Sequence, residues 1–259
     1  MLISFVAAVA AAAKRYASVL AYMGGCLIGA PVLAASLQVS PVTIDLQARQ
    51  NSEGLWLSNS GTQPLQAQVR VYAWVQEGGE DLLKPTNDMV ASPPMLTIQP
   101  GQRQIVRLVR VGAGQAPPST EKAYRVVMDE LPVGAGAEGV KFVLRYSVPI
   151  FIAPPAPEGA AGGQSTSVPA VVWSVREGPG GAVLTATNKG STRAKVTNVS
   201  LLGRNGKKIV VSEGLYGYVL PGSIRHWSLS REAGAAAHGG KLDLTVNDQA
   251  LSVQLQTGP

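Results

Sequence analysis

Between Leu65 and Gln76 the chain alternates without a break, with Ala67, Val69, Val71, Ala73 and Val75 on one side and Gln66, Gln68, Arg70, Tyr72 and Trp74 on the other. A period of two sets one row against a core and the other away from it, which a helix with its period of 3.6 cannot do. Shorter runs of the same kind recur from Leu37 to the end of the chain, and no apolar pattern of helical period reaches helix length. Breaks between them carry turn chemistry: Ser60-Gly61, Gln99-Pro100-Gly101-Gln102 and Asn205-Gly206. There Pro presets one dihedral and Gly or Asn takes the positive φ. With 29 Gly and 18 Pro among 259 residues to punctuate such runs, the expected fold class is all-β.

Strands are expected at Arg103 to Val111, at Ala123 to Leu131 and at Val140 to Ile152, the longest of them. In the last, Val140, Phe142 and Leu144 share one face, and Lys141, Val143 and Arg145 the other. Pro149 then removes a backbone donor, which implies an edge position or a bulge. The Pro154-Pro155-Ala156-Pro157 run and the Gly/Ala/Ser-rich stretch after it read as a linker over 154–168. Beyond it a second set is expected: Val171 to Arg176, Ala182 to Asn188, Ala194 to Leu202, Lys207 to Ser212, Ile224 to Leu229, Lys241 to Val246 and Leu251 to Gln256. About seven strands per half, with turns every 8 to 12 residues, is the pattern of two immunoglobulin-like β-sandwiches. These occupy 35–153 and 169–259, and no internal repeat beyond the likeness of the halves is visible.

Met1 to Ala34 is set apart from the fold. It has no acid, a basic pair at Lys14-Arg15, an apolar stretch from Ala17 to Leu33 broken by Gly and Pro, and small residues around Val32-Leu33-Ala34. It reads as a signal peptide directing export. Cys26 lies within it, so the exported chain has no thiol to pair or react. A formal charge of +6, with Lys and Arg unclustered, gives no footprint for nucleic acid.

The chemistry of an enzyme is missing. His226 falls in an expected strand beside Trp227, and His238 in Gly/Ala-rich loop sequence; both read as structural or surface residues. Asp129 and Glu130 are neighbours on a strand and point to opposite faces, so they make no acid/base pair; they read as a solvated edge and a strand-end contact. Gly134 to Gly139 lacks the Lys-Ser/Thr ending of a phosphate loop and joins two strands. No catalytic residue, metal site or cofactor is assigned.

The order of motifs in the first half resembles a known family. Leu55 to Asn59 with the strand to Trp74, Ala91-Ser92-Pro93-Pro94, Ile98 to Gln102 with Ile105-Val106-Arg107-Leu108, Glu121 to Arg125 with Asp129-Glu130-Leu131-Pro132, and Val140 to Pro154 are similar to the periplasmic chaperones of the chaperone/usher pathway. The second half matches more loosely through Ala186-Thr187-Asn188 and Tyr218 to Gly222. The resemblance implies two sandwiches set at an angle and a protein of the periplasm. It also implies donor-strand complementation, in which the chaperone adds its seventh strand to an incomplete pilus or fimbrial subunit and delivers the subunit to an outer-membrane usher. Val140, Phe142 and Leu144 would be the donor residues, although strands with one apolar face commonly turn it to their own core. An unpaired apolar edge would also let free copies cap one another.

The sequence departs from the better-known members at their carboxylate anchor, whose two positions here are Thr43 and Pro149. Ala123 to Val126 and Arg145 to Pro149 look instead like the archaic branch, which makes Arg125 and Arg145 the anchor candidates; ordinary pairing with Asp129 or Glu130 is the other reading. Glu121 matches an acid that joins the domains through an Arg at the position of Ala153, so any such bridge must be built differently here. An adhesion or carbohydrate-binding module on the same sandwich is the alternative function, with Tyr72 and Trp74 as its candidate aromatic platform.

Overall fold

The alternation after Leu65 becomes a strand of 13 residues, Leu65–Glu77 (β4), whose Leu65, Ala67 and Val69 are buried in the first core. A computed structural model describes residues 37–112, 117–132, 143–155, 170–178 and 181–257. The expected signal peptide, nearly all of the linker, and the donor candidates Val140 and Phe142 lie outside the described residues.

In the first domain one sheet runs β1 (Leu37–Ser40), β3 (Ser52–Asn59), β8 (Arg103–Arg110), β6 (Met89–Ser92). The facing sheet runs β2 (Ile44–Leu46), β10 (Arg145–Ile152), β9 (Lys122–Leu131), β4, β5 (Glu80–Pro85), with β7 (Met95–Ile98) also paired to β4. The first strand therefore switches sheets: β1 pairs antiparallel with β3, and β2 pairs parallel with the end of β10. The inward rows of both sheets, Leu55, Leu57, Val106, Leu108, Val126, Met128, Val148 and Ile150 among them, form one core.

The second domain repeats the plan. One sheet runs β15 (Ile224–Ser228), β12 (Gly181–Asn188), β11 (Val171–Gly178), β18 (Gln256–Thr257), and the other β14 (Lys208–Val219), β13 (Ala194–Leu202), β16 (Lys241–Val246), β17 (Gln249–Gln254). A short helix interrupts the strands. Arg231–Ala237 is a helix (α1) capped by Ser230, whose Oγ accepts from the Ala233 amide. Its buried residues are Ala and Gly, too small to show an apolar period.

The structure also shows a repeat that the sequence reading did not. Asn59 ends β3 and donates through Nδ2 to the carbonyls of Gln63 and Ile98, while its Oδ1 accepts from Gly61. Asn188 ends β12 and does the same with Thr192, Val219 and Gly190. Both are about fully buried, at 2% and 1% exposure, and both tie an Asn-X-Gly turn to the strand before a Pro-Gly turn, at Pro100-Gly101 and Pro221-Gly222. Gly101 and Gly222 stand at φ 70° and 66°, where Gly is favoured. Asn188→Ala removes these three hydrogen bonds, the one to Val219 fully buried, and is expected to lower stability by about 2–3 kcal/mol, read from the urea midpoint.

Candidate functional site

Strand β10 is an inner strand at one end and an edge at the other. Ile150 to Ile152 pair with β2, whereas Arg145 to Pro149 have β9 on one side and, among the described residues, no strand on the other. The amide of Glu130 donates to the carbonyl of Leu144, and the register from Arg145 onward is unshifted. In an antiparallel pair backbone groups alternate in direction, so those of Tyr146 and Val148 face β9 and those of Arg145 and Ser147 face the open side. The Ala153 amide, of the same parity, donates to Leu46 on that side. Pro149 sits at the changeover: its missing donor belongs to the edge, and it costs no bond to β9. This is the edge alternative of the two expected for it.

Leu144 is half-buried and packs on the first core with Tyr146, whose hydroxyl donates to the Leu37 carbonyl at 2.8 Å. Val143 points away, 52% exposed. Of the three donor candidates Leu144 is thus on the core-facing row at the edge.

The anchor candidates lie on the opposite face of the same sheet and differ in their surroundings. Asp129 accepts from the Arg145 Nε with one oxygen and from Arg70 with the other. Burial works to raise the Asp129 carboxyl, but the hydrogen bonds and charges of Arg145 and Arg70 outweigh it and hold the group below its ordinary value. Asp129 is therefore a nearly buried carboxylate held between two guanidinium groups, which corrects its reading as a solvated edge residue. Arg145 is engaged by it, though its side chain remains 69% exposed.

Arg125 has no carboxylate within ion-pair distance among the described residues. Its guanidinium carbon lies 3.9 Å from the Trp74 ring centroid, and Nη1 donates to the Ser147 carbonyl at 3.3 Å. Burial lowers its pKa from the ordinary value, opposed by the nearby Asp81. On neighbouring strands Pro149 and Tyr72 flank it in register. Arg125 is thus a half-buried cation stacked on the indole of the adjacent strand β4, beside the end of β10 that has no second neighbour among the described residues.

Trp74 itself was expected on the outer face of its sandwich. It is there, but the second domain covers it: Trp74, Phe151, Tyr218 and Leu220 form a separate apolar cluster, 3%, 0%, 6% and 4% exposed. Ring centroids stand 5.4 to 5.8 Å apart. A buried Trp74 is no carbohydrate platform. Gln76 acts as a splice across the junction, donating to the Tyr218 carbonyl and accepting from the Leu220 amide.

Two ionic contacts flank this cluster. Arg193, just before β13, donates through Nη1 to Glu121 and through Nη2 to Asp45 on β2, both at 2.6 Å, with its guanidinium 3.7 Å over Phe151. Here is the rebuilt bridge: the arginine comes from the second domain and the acids from the first. On the other flank Arg225 meets Glu80, and the His226 amide donates to the Gly79 carbonyl at 3.0 Å. Gly79 has φ +84°, and a Cβ there would fall 2.1 Å from His226 Nδ1. Gly79→Ala is expected to cost about 2–3 kcal/mol through strain and clash together, measured by thermal unfolding.

Residues 36–158 match the family model of the pili and flagellar-assembly chaperones, PapD N-terminal domain. A comparison with curated proteins by sequence finds no match. Among solved structures, the chain is similar to the CsuC–CsuE chaperone–tip adhesion subunit pre-assembly complex of archaic chaperone-usher Csu pili of Acinetobacter baumannii, at 22% identity and TM-score 0.66, covering 87% of this chain and 100% of that one. The YadV chaperone gives 20% identity and TM-score 0.59, covering 85% and 100%. Salmonella enterica SafA pilin in complex with the SafB chaperone gives 17% identity and TM-score 0.55, covering 85% and 94%. At these identities the likeness is one of fold, and it is the two-sandwich fold described above.

Proposed function

Because residues 36–158 belong to the family of pili and flagellar-assembly chaperones, we propose that the protein captures pilus or fimbrial subunits in the periplasm by adding a strand to them and delivers them to an outer-membrane usher. The observation that carries this reading is the edge of β10, open among the described residues, with Arg125, which meets no carboxylate among them, beside its end. An extended segment can add to that edge through the backbone groups of Arg145 and Ser147. It cannot run past Pro149, because β2 already holds the edge from Ile150 onward.

The charge at that stop sets the direction. A strand antiparallel to β10 would bring its amino end to Arg125, cation against cation; a parallel strand that ends there brings its terminal carboxylate. The geometry thus favours a subunit whose last strand runs parallel to β10 and ends at Arg125, with Arg145 as a weaker second contact. Likeness to a complex from archaic pili supports placing the chain in that branch. Free copies, with the same edge open, are expected to associate.

The test is co-expression with the cognate subunits. Phe142→Glu and Leu144→Glu, made separately, should each abolish co-purification while the circular dichroism of the β fold is kept. Two variants are needed because Leu144 also touches the chaperone's own core. Undiminished capture by both would sink the donor-strand reading.

A further inference from the structure

The outer face of the sheet β1-β3-β8-β6 takes no part in the edge or the anchor, and its composition is distinctive. Trp56 on β3 stands in register with Ile105 on β8, and they are 38% and 41% exposed, with Val90 on β6 at 43%. The Arg103 guanidinium lies 4.6 Å from the Trp56 ring centroid, and Arg107 follows two residues along the same face. Neither arginine enters an ion pair among the described residues. The remaining outward positions are glutamine, serine, glycine and valine, so the face holds no acid.

Exposed Trp56 and Ile105, side by side on neighbouring strands, with Val90 further along the same sheet face opposite Val109, mark a contact surface, and two arginines without an ion pair among the described residues give that surface a positive sign. Its partner is therefore anionic. Its shape selects further: none of these residues lines a cavity at the junction or beside Tyr124, and a peptide adding as a strand would pair with the outer strands β1 or β6, not with the middle strands β3 and β8 that carry Trp56, Arg103, Ile105 and Arg107. A sheet face from which an indole and two guanidinium groups project suits a plane, the indole entering a headgroup layer and the guanidinium groups meeting phosphates. We propose that this face docks the protein on an anionic phospholipid surface through Trp56, Ile105, Arg103 and Arg107. With only two cations and one aromatic the contact is weak, reversible and sensitive to salt. It is independent of strand donation.

The full-length chain would be mixed with vesicles of brominated phosphatidylcholine alone, or with an equal part of phosphatidylglycerol, and Trp fluorescence read. The other three tryptophans, Trp74, Trp173 and Trp227, pack in cores, so the signal of Trp56 is the difference from Trp56→Phe. Quenching of that difference on phosphatidylglycerol vesicles is expected, with binding weakened by about tenfold or more in the Arg103→Gln/Arg107→Gln variant and lost at high salt. Equal quenching of parent and Trp56→Phe overturns the proposal, including the case where the apolar N-terminal segment binds lipid by itself. So does binding indifferent to both arginines, and so does absence of binding, the result expected of a face kept for a protein partner.

Discussion

Replacing Arg125 by Gln is expected to weaken capture of a subunit's terminal strand by about 10- to 100-fold and to leave the chaperone folded. The size follows from a charge-assisted, bidentate hydrogen bond in a partly desolvated place, worth about 1.5–3 kcal/mol. Folding should be spared because Arg125 contributes one long bond to Ser147 and a stack on Trp74. A peptide of the subunit's last strand, prepared with a free carboxylate and with an amide end, separates charge recognition from strand pairing. The parent should prefer the free acid, and Arg125→Gln should bind both alike. Arg125→Lys should fall between, since an ammonium keeps the charge but loses the fork and the stack. Arg145→Gln should have the smaller effect, because Asp129 already engages its Nε. A variant at Arg125 that still discriminates acid from amide would move the anchor elsewhere.

How far the sequence reached can be judged from single residues. Alternation placed Ala67 and Val69 in the core and Arg70 outside it, because a strand face depends only on parity. Parity also put Trp74 outside its sandwich, correctly, and could not say that the outside of one domain is the inside of a junction. The same limit hid Arg193: it precedes a strand in the second half, 72 positions from Glu121, and nothing local marks a contact made only when two folded sandwiches meet. The resemblance did better at negative evidence. With Ala153 where an arginine was due, it implied that any bridge to Glu121 must come from another residue, and in the structure that residue is Arg193.

Other misses have a chemical origin. Asp129 read as a solvated edge residue, with pairing to Arg145 as the other reading; the contact with Arg70 escaped because β4 and β10 lie on either side of it and only the strand order brings both arginines to one acid. The paired Asn59 and Asn188 knots were legible in principle. Asn-X-Gly followed later by Pro-Gly occurs in both halves, but short polar turns repeat without apolar periodicity and so escape a search for it. Helix α1 escaped for a related reason, since its buried side is made of Ala and Gly.

Arg193→Met should be the most destabilising single change at the junction, at about 3–5 kcal/mol, because it strands a buried acid. Glu121 has a side chain only 4% exposed. Burial pushes its carboxyl above the ordinary value, and the Arg193 guanidinium and amide pull against that push. A folded-state pKa raised above the unfolded one means the folded chain holds the proton more tightly. The group's contribution is then favourable below the ordinary carboxyl range and is lost as pH rises toward the raised value. Removing the guanidinium leaves only the amide to oppose burial, so the raised value should climb and the loss of stability with rising pH should steepen. Adding Glu121→Gln removes the charge while an amide oxygen can still accept from the backbone at position 193. The double variant should therefore regain part of the stability and lose that pH dependence. Urea unfolding followed by Trp74 fluorescence, with both sandwiches monitored by circular dichroism, distinguishes undocking of the domains from global unfolding. If Arg193→Met matches the parent at neutral pH, or the double variant is no more stable than the single, the junction is held by the Trp74, Phe151 and Tyr218 cluster and not by this ion pair.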